Sequence, residues 1–232
     1  MSYPFIIWTE PRTAGTAFSA ALKSVSEYES VEDEPFQYGA DPKQLASVYE
    51  NWCLDGSPKE LYKVLAKHVL IKHIPEAFDD NFNADLARAA EYNNYRHIRL
   101  IRCDTFARLM SRGIAEQLDM WNLKANLRLD SLKPLDVPCL ITDLKLDASR
   151  WNSVSAYLTR VLVVRTEDIV SRNRARRHKY LKRVLKFLEL PRDKLANLDL
   201  ALVNSKQDTA RVYSMIPNID ELRLALACEG VR

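Results

Sequence analysis

Arg12, Thr13, Gly15 and Thr16 fall within the five positions 12 to 16. One guanidinium, two hydroxyls and a glycine at that spacing can grip an anion: the cation and hydroxyls donate hydrogen bonds, and glycine lets backbone N–H groups come close. The chemistry this serves is the binding or transfer of a phosphate-like group.

The flanking residues say what must hold that group in place. Phe5-Ile6-Ile7-Trp8-Thr9 is an apolar run of β-formers, Pro11 ends it, and Phe18-Ser19-Ala20-Ala21-Leu22 favours a helix. Strand, loop and helix in that order put the loop at a helix N-terminus, where unpaired N–H groups and the positive end of the dipole favour negative charge. Gly15 is the only glycine nearby, which excludes a GxxxxGK[ST] triphosphate loop and a GxGxxG dinucleotide turn.

Two more polar clusters sit at predicted strand ends. Val69-Leu70-Ile71-Lys72-His73-Ile74-Pro75 reads as a short buried strand stopped by proline, with Lys72 and His73 near its close. His97-Ile98-Arg99-Leu100-Ile101-Arg102 reads as another, after which Asp104 or Thr105 can cap a helix. Open parallel sheets bind ligands at the carboxyl ends of their strands, so the three clusters predict one crevice.

Helical segments are expected around 44–52, 59–67 and 84–92. The clearest amphipathic helix runs through Phe106, Leu109, Met110, Ile114, Leu118 and Trp121. Pro138-Cys139-Leu140-Ile141-Thr142 is read as a short strand, with Asp147 or Ser149 opening a helix through Tyr157. Val161 to Arg165 is a further strand, and a basic helix runs from about Ser171 to Leu190. The acidic stretch from Glu27 to Glu34 and the segment Pro35-Phe36-Gln37-Tyr38-Gly39 read as loop. Strands separated by helices imply an α/β fold: three layers, α/β/α, around a largely parallel sheet, with residues 1–232 as one domain.

Composition narrows the class. Hydrophobic residues at 47% and charged residues at 28% are those of a soluble globular chain, and a net charge of +3 is too small to imply nucleic acid. Cys53, Cys103, Cys139 and Cys228 show no CxxC spacing, so no metal site and no disulfide framework are expected. The N-terminal apolar run is far too short to span a bilayer and lacks the charged start of a signal peptide; a cytoplasmic location is expected.

Taken together the motifs resemble the PAPS-dependent sulfotransferases, in particular the bacterial trehalose sulfotransferase type. Pro11-Arg12-Thr13-Ala14-Gly15-Thr16-Ala17-Phe18 is similar to the family's P-R-S-G-S-T-x-L loop, with Ala14 where the family has glycine. Ile101-Arg102-Cys103-Asp104, Ser111, Ala115-Glu116-Gln117 and Trp121 resemble its R-R-D…S…AEQ…W region, with Cys103 in place of an arginine. Val163-Val164-Arg165-Thr166-Glu167-Asp168-Ile169 and Phe187-Leu188-Glu189-Leu190-Pro191 resemble V-x-Y-E-D-L…FLGLP, with Thr166 in place of tyrosine.

The resemblance implies a P-loop nucleotide-hydrolase-like fold and a sulfotransferase that moves a sulfuryl group from PAPS to a hydroxyl of a carbohydrate, lipid or small metabolite. It places Arg12, Thr13, Ala14, Gly15, Thr16 and Ala17 on the 5′-phosphosulfate and Arg102 and Ser111 on the 3′-phosphate, with Arg108 or Arg112 as substitutes for the missing arginine. Two residues compete as general base: Glu34, whose segment resembles E-F-F-Q-Y of the trehalose enzyme, and His73, whose segment resembles K-T-H-L-P of the cytosolic enzymes. Lys72 would stabilise the bridging oxygen or the sulfuryl group. Phe36, Tyr38, Tyr49 and Trp52 fit a sugar site or the core equally well, and Lys206 and Arg211 are candidates for late contacts to the 3′-phosphate.

Other readings stay open: a sulfotransferase-like nucleotide-binding protein without catalysis, or a nucleotide kinase of similar architecture. The basic helix invites a nucleic-acid reading, but Leu181, Val184, Leu185 and Leu188 make its other face apolar, so no specific nucleic acid is expected as a partner. No membrane span is expected, and nothing in the sequence sets an oligomeric state.

Overall fold

A computed structural model of the protein describes residues 2–27, 31–36, 45–67, 70–118, 132–204 and 210–230. Strand and helix alternate through the first half: β1 (Phe5–Thr9), α1 (Gly15–Lys23), β2 (Val31–Asp33), α2 (Ala46–Asp55), α3 (Lys59–Leu65), β3 (Leu70–His73), α4 (Asp80–Tyr92), β4 (Arg96–Ile101) and α5 (Thr105–Leu118). There follow α6 (Val137–Ser155), β5 (Val161–Arg165), α7 (Thr166–Ile169), α8 (Arg174–Leu188), α9 (Leu195–Asn204) and α10 (Ile219–Cys228).

The strands form one sheet in the order β2-β3-β1-β4-β5, and every pairing among them is parallel. β1 is central, with Ile7 opposite Lys72 on one side and Ile98 on the other. The chain fills the β2 and β3 side first and then crosses to β4 and β5. That reversal of direction is the switch point at which neighbouring connections part and leave a crevice beyond the carboxyl end of β1.

Side chains alternate between two cores. Phe5 and Ile7 of β1, with Leu70, Ile98 and Leu100, pack under Phe18 and Leu22 of α1, Leu181 and Leu185 of α8 and Leu198 and Leu202 of α9. Ile6 and Trp8, with Ile71, pack on the opposite face against Phe82 and Leu86 of α4 and Val154 of α6. Helices on both faces of a parallel sheet make the α/β/α sandwich that the alternation predicts. A third cluster joins α5, α6 and α10 through Met110, Leu140 and Leu222.

Two expectations fail, for physical reasons. Residues 138–142 are the opening of the 19-residue α6, where Pro138 occupies a first-turn position and Asp136 caps by accepting the Cys139 N–H at 3.0 Å. A proline followed by apolar residues suits a first helical turn as well as a strand, and the spacing Val137, Leu140, Leu144, Trp151, Val154 is helical. Asp147 therefore opens no helix; it is buried in the middle of this one, paired with Arg108 at 2.8 Å. The acidic stretch read as loop contains β2, an edge strand of three residues, two of them acids, too short and too polar to show a strand pattern. Capping by Asp104 holds: its Oδ1 accepts the Ala107 N–H at 2.8 Å.

Candidate active site

The loop from Glu10 to Gly15 is pinned from several strands. Thr13 hydrogen-bonds through its hydroxyl to Thr9 and donates to the Glu10 carbonyl at 2.8 Å. The Thr166 hydroxyl, arriving from the end of β5, donates to the Thr13 carbonyl at 2.7 Å and lies 3.1 Å from the Ile101 carbonyl. Arg12 and Ala14 both have left-handed backbone, at φ 66° and 63°, while Thr13 and Gly15 do not, so the sign of φ alternates along the turn. Alternation of this kind turns successive N–H groups toward one concave side, an anion-binding nest.

No side chain caps α1, whose N-cap is Ala14. The first-turn N–H groups, including those of Gly15, Thr16 and Ala17, have no intrahelical partner. Gly15 is favoured by space rather than by φ: a Cβ there would lie 3.0 Å from the Thr9 methyl and 3.3 Å from the Lys72 stem, so both side chains would have to shift.

Lys72 threads past Gly15 into the crevice. Its buried ammonium donates to the Thr16 hydroxyl at 2.9 Å and to Glu34 Oε1 at 2.5 Å. Glu34 follows directly on β2, donates its N–H to the Lys72 carbonyl at 3.0 Å and holds a left-handed φ of 56° that aims its carboxylate back at the lysine. Loop, cation and carboxylate thus meet at the carboxyl ends of β1, β2 and β3. Strained backbone in such a place points to a site rather than to packing.

On the other side of the loop, Arg12 Nε donates to the buried Ser111 hydroxyl of α5 at 2.8 Å, and Arg102 Nη1 donates to the Arg12 carbonyl at 3.3 Å. Burial, and then the charge of Arg102, push the Arg12 guanidinium below its ordinary pKa. Among the described residues no carboxylate lies within ion-pair distance of Arg102. Two guanidiniums drawn together beside a nest of N–H groups give a strongly positive concavity.

The structure does not bring every predicted residue here. His73 is fully buried on the opposite face of the sheet, stacked on Phe78 at 4.8 Å and edge-on to Trp8 at 5.2 Å. The Asn83 amide donates to the Pro75 carbonyl, which leaves its oxygen to accept from His73 Nε2–H at 2.7 Å. His73 Nδ1 has no hydrogen-bond partner, and burial lowers the His73 pKa to about 4. His73 thus does not face the crevice, whereas Glu34, the other candidate base, does.

Arg108 and Arg112, the other two arginines considered for the 3′-phosphate, are both engaged by acids. Arg108 is held by Asp147, and Arg112 by Glu76, Glu116 and Asp143, each at 2.8 Å. These pairs belong to a buried ionic layer behind the loop that also ties Glu10 to Arg99, whose guanidinium lies over Trp151 at 4.4 Å. Burial lowers the Arg99 pKa to about 10 and raises that of Glu76. The small cavity between Glu10, Glu76, Asp147 and Trp151 lies in this layer, away from Lys72 and Glu34. Arg99, between the apolar Ile98 and Leu100 of β4, was the available sequence signal for the layer.

The remaining candidates divide in the same way. Phe18 is core. Phe36 is buried among Phe78 and Phe82, and Tyr49 and Trp52 pack against the same cluster, Trp52 Nε1 donating to Asp85 at 3.0 Å. Cys103 is exposed overall, and partial desolvation of its thiol, then the Glu167 charge, raise its pKa. Arg211 falls in the turn Ala210–Met215, while Tyr38, Trp121 and Lys206 lie outside the described residues. Among the described residues no group of acids, histidines and cysteines could hold a metal ion, and no helix is long and apolar enough to cross a membrane. No family model and no curated protein sequence matches the chain.

Proposed function

We propose that the protein is a sulfotransferase that takes a sulfuryl group from PAPS and delivers it to a hydroxyl of a carbohydrate, lipid or small-metabolite acceptor. We read the fold as P-loop nucleotide-hydrolase-like, with the loop between β1 and α1 as its anion loop. The observation that carries the proposal is the division of the crevice into two chemically distinct halves astride that loop. Arg12, Arg102 and Ser111 form a cationic half with no acid on Arg102 among the described residues, and Thr16, Lys72 and Glu34 form a half that contains a carboxylate. A donor with two phosphates and an acceptor with a proton to lose need one half each.

The donor supplies an activated sulfuryl group on a phosphate leaving group. The nest and first-turn N–H groups of α1 hold that leaving phosphate, and Lys72 neutralises charge as it builds there. Arg12, Arg102 and Ser111 hold the second phosphate. Glu34 takes the proton from the acceptor hydroxyl as the new S–O bond forms and the bond to the phosphate breaks. Lysine, arginines and N–H groups meet the charge demand because a sulfuryl group carries less charge than a γ-phosphoryl group.

Thermal unfolding with adenosine 3′,5′-bisphosphate, with ATP and magnesium, and with neither tests the reading. Bisphosphate at a hundredfold its dissociation constant is expected to add about 2.7 kcal/mol of stability. Stabilisation by ATP with magnesium alone would overturn the proposal in favour of a nucleotide kinase.

A further inference from the structure

Charge in this protein is distributed very unevenly. Residues 160–194 hold 12 Lys/Arg against 4 Asp/Glu, a net +8 in a chain whose total is +3, so the remainder is net −5. α8 alone has seven Lys/Arg and no acid. Arg177 and Arg176 are neutralised by Asp199 and Asp168, and Arg174 stands 3.9 Å from Asp199. Arg172, Lys179, Lys182, Arg183 and Lys186 have no acidic partner among the described residues.

Those cations form one exposed surface. Leu181, Val184, Leu185 and Leu188 face the sheet, and Lys179, Arg183 and Lys186 recur three and four residues apart on the opposite side. Lys179 with Arg183, and Lys182 with Lys186, are like charges at the spacing that destabilises a helix. Among the described residues no acid offsets that repulsion, and Lys179 and Arg183 share only the Tyr180 ring between them, so an external anion would stabilise this face.

The neighbouring helix supplies the second observation. α9 buries Leu198 and Leu202 in the same core as α8 and is tied to it by Asp199, yet it leaves Leu200 63% exposed and Val203 38% exposed. Leu200 and Val203 lie away from the buried Leu198 and Leu202, as Lys179, Arg183 and Lys186 lie away from Leu181 and Leu185, and because both helices bury those leucines in one core, both exposed sets belong to the outer face of the same helix layer. A basic stripe beside outward leucine and valine is the pattern of a surface that rests on lipid headgroups and dips apolar side chains among them.

We propose that the outer surface of α8 and α9 docks the protein on an anionic lipid bilayer, with the α8 cations on headgroup phosphates and Leu200 and Val203 at the acyl boundary. Single-stranded nucleic acid fits less well. Such binding uses aromatic platforms for the bases, and Tyr180, the only tyrosine on α8, is half-buried with Lys179 and Arg183 near its ring. Leu200 and Val203 would also have no role on a phosphate backbone. The attachment is peripheral.

Co-sedimentation of the full chain with vesicles tests this independently of any sulfotransferase activity. Vesicles of phosphatidylcholine with about one-third phosphatidylserine are expected to bind the protein at ~0.1 M salt and to release it at ~0.5 M, whereas pure phosphatidylcholine vesicles bind it weakly. Each cation removed is worth about fivefold in affinity, so Lys179→Ala with Arg183→Ala should weaken binding about 25-fold. Leu200→Gln should weaken binding and leave its salt dependence in place. Because all three side chains are exposed, an unchanged unfolding temperature checks that each variant is folded. Equal binding to both vesicle types, no binding to either, or an RNA oligonucleotide that binds more tightly than the vesicles and displaces them would overturn the proposal.

Discussion

Lys72 and His73 are covalent neighbours on β3 whose side chains enter opposite surroundings. Lys72 shares its face with Leu70 and emerges at the crevice, where the Thr16 hydroxyl and the Glu34 carboxylate receive its ammonium. His73 shares its face with Ile71 and is enclosed by Trp8, Phe36, Phe78 and Asn83. Both residues have almost no solvent exposure, yet one is buried among charges that an incoming anion can rearrange and the other among rings that hold it neutral. The crevice face is built to change partners, and the aromatic face to keep them.

Several experiments would break or sharpen that contrast. The largest effect is expected for Glu34→Gln, which removes the carboxylate and keeps the shape: turnover should fall by about two to four orders of magnitude. Donor affinity, measured calorimetrically with adenosine 3′,5′-bisphosphate, should change far less. His73→Gln should leave both within a few fold, and if it abolished turnover in a folded protein, the assignment of the two faces would be wrong.

Acid should attack the aromatic face first. His73 and His97 are buried with pKa values lowered to about 4 from 6.5, burial being the main cause for both, while Trp8 Nε1 donates to His97 Nδ1 at 3.1 Å. Groups whose folded pKa lies below the unfolded one contribute stability that is whole above about pH 6.5 and is lost as the pH falls toward 4. The loss amounts to up to about 3 kcal/mol for each histidine. Unfolding temperature plotted against pH should drop through that window, and the drop should be shallower in His73→Gln.

A smaller change is expected on the cationic side of the crevice. Arg12→Ala removes a charge-assisted contact worth about 1.5 to 3 kcal/mol, or roughly one to two orders of magnitude in bisphosphate affinity. Unchanged affinity in this variant would remove the loop from the donor site. The smallest effect should be a gain: Ala14 holds a left-handed φ, so Ala14→Gly relieves about 1 kcal/mol of strain. The unfolding temperature should rise by about 1 to 4 °C.

Much of this contrast was legible in the amino-acid order. Period-two alternation alone puts Lys72 with Leu70 and His73 with Ile71, and Pro75 marks the strand end. The strand-loop-helix at the N-terminus, the caps of α5 and the apolar strands were readable because each is a local pattern. What stayed hidden depends on partners distant in sequence. Nothing near Arg112 announces that Glu76 and Asp143 will surround it, and nothing near β2 reveals that three residues find β3 as a template. The start of α6 was misread because proline and apolar residues satisfy two local rules, and only Asp136 as a cap decides between them.

One hydroxyl has an effect out of proportion to its size. Thr166 stands 153 positions from Thr13 in the chain, yet its single proton fixes where the Thr13 carbonyl sits, with the Ile101 carbonyl as the alternative acceptor. In a saturation mutagenesis screen scored on donor binding, position 166 should behave as a donor-site residue even though its own bonds run to the backbone. Thr166→Ser should be tolerated and Thr166→Val should not, and compensating changes, where they arise, should fall between residues 11 and 16.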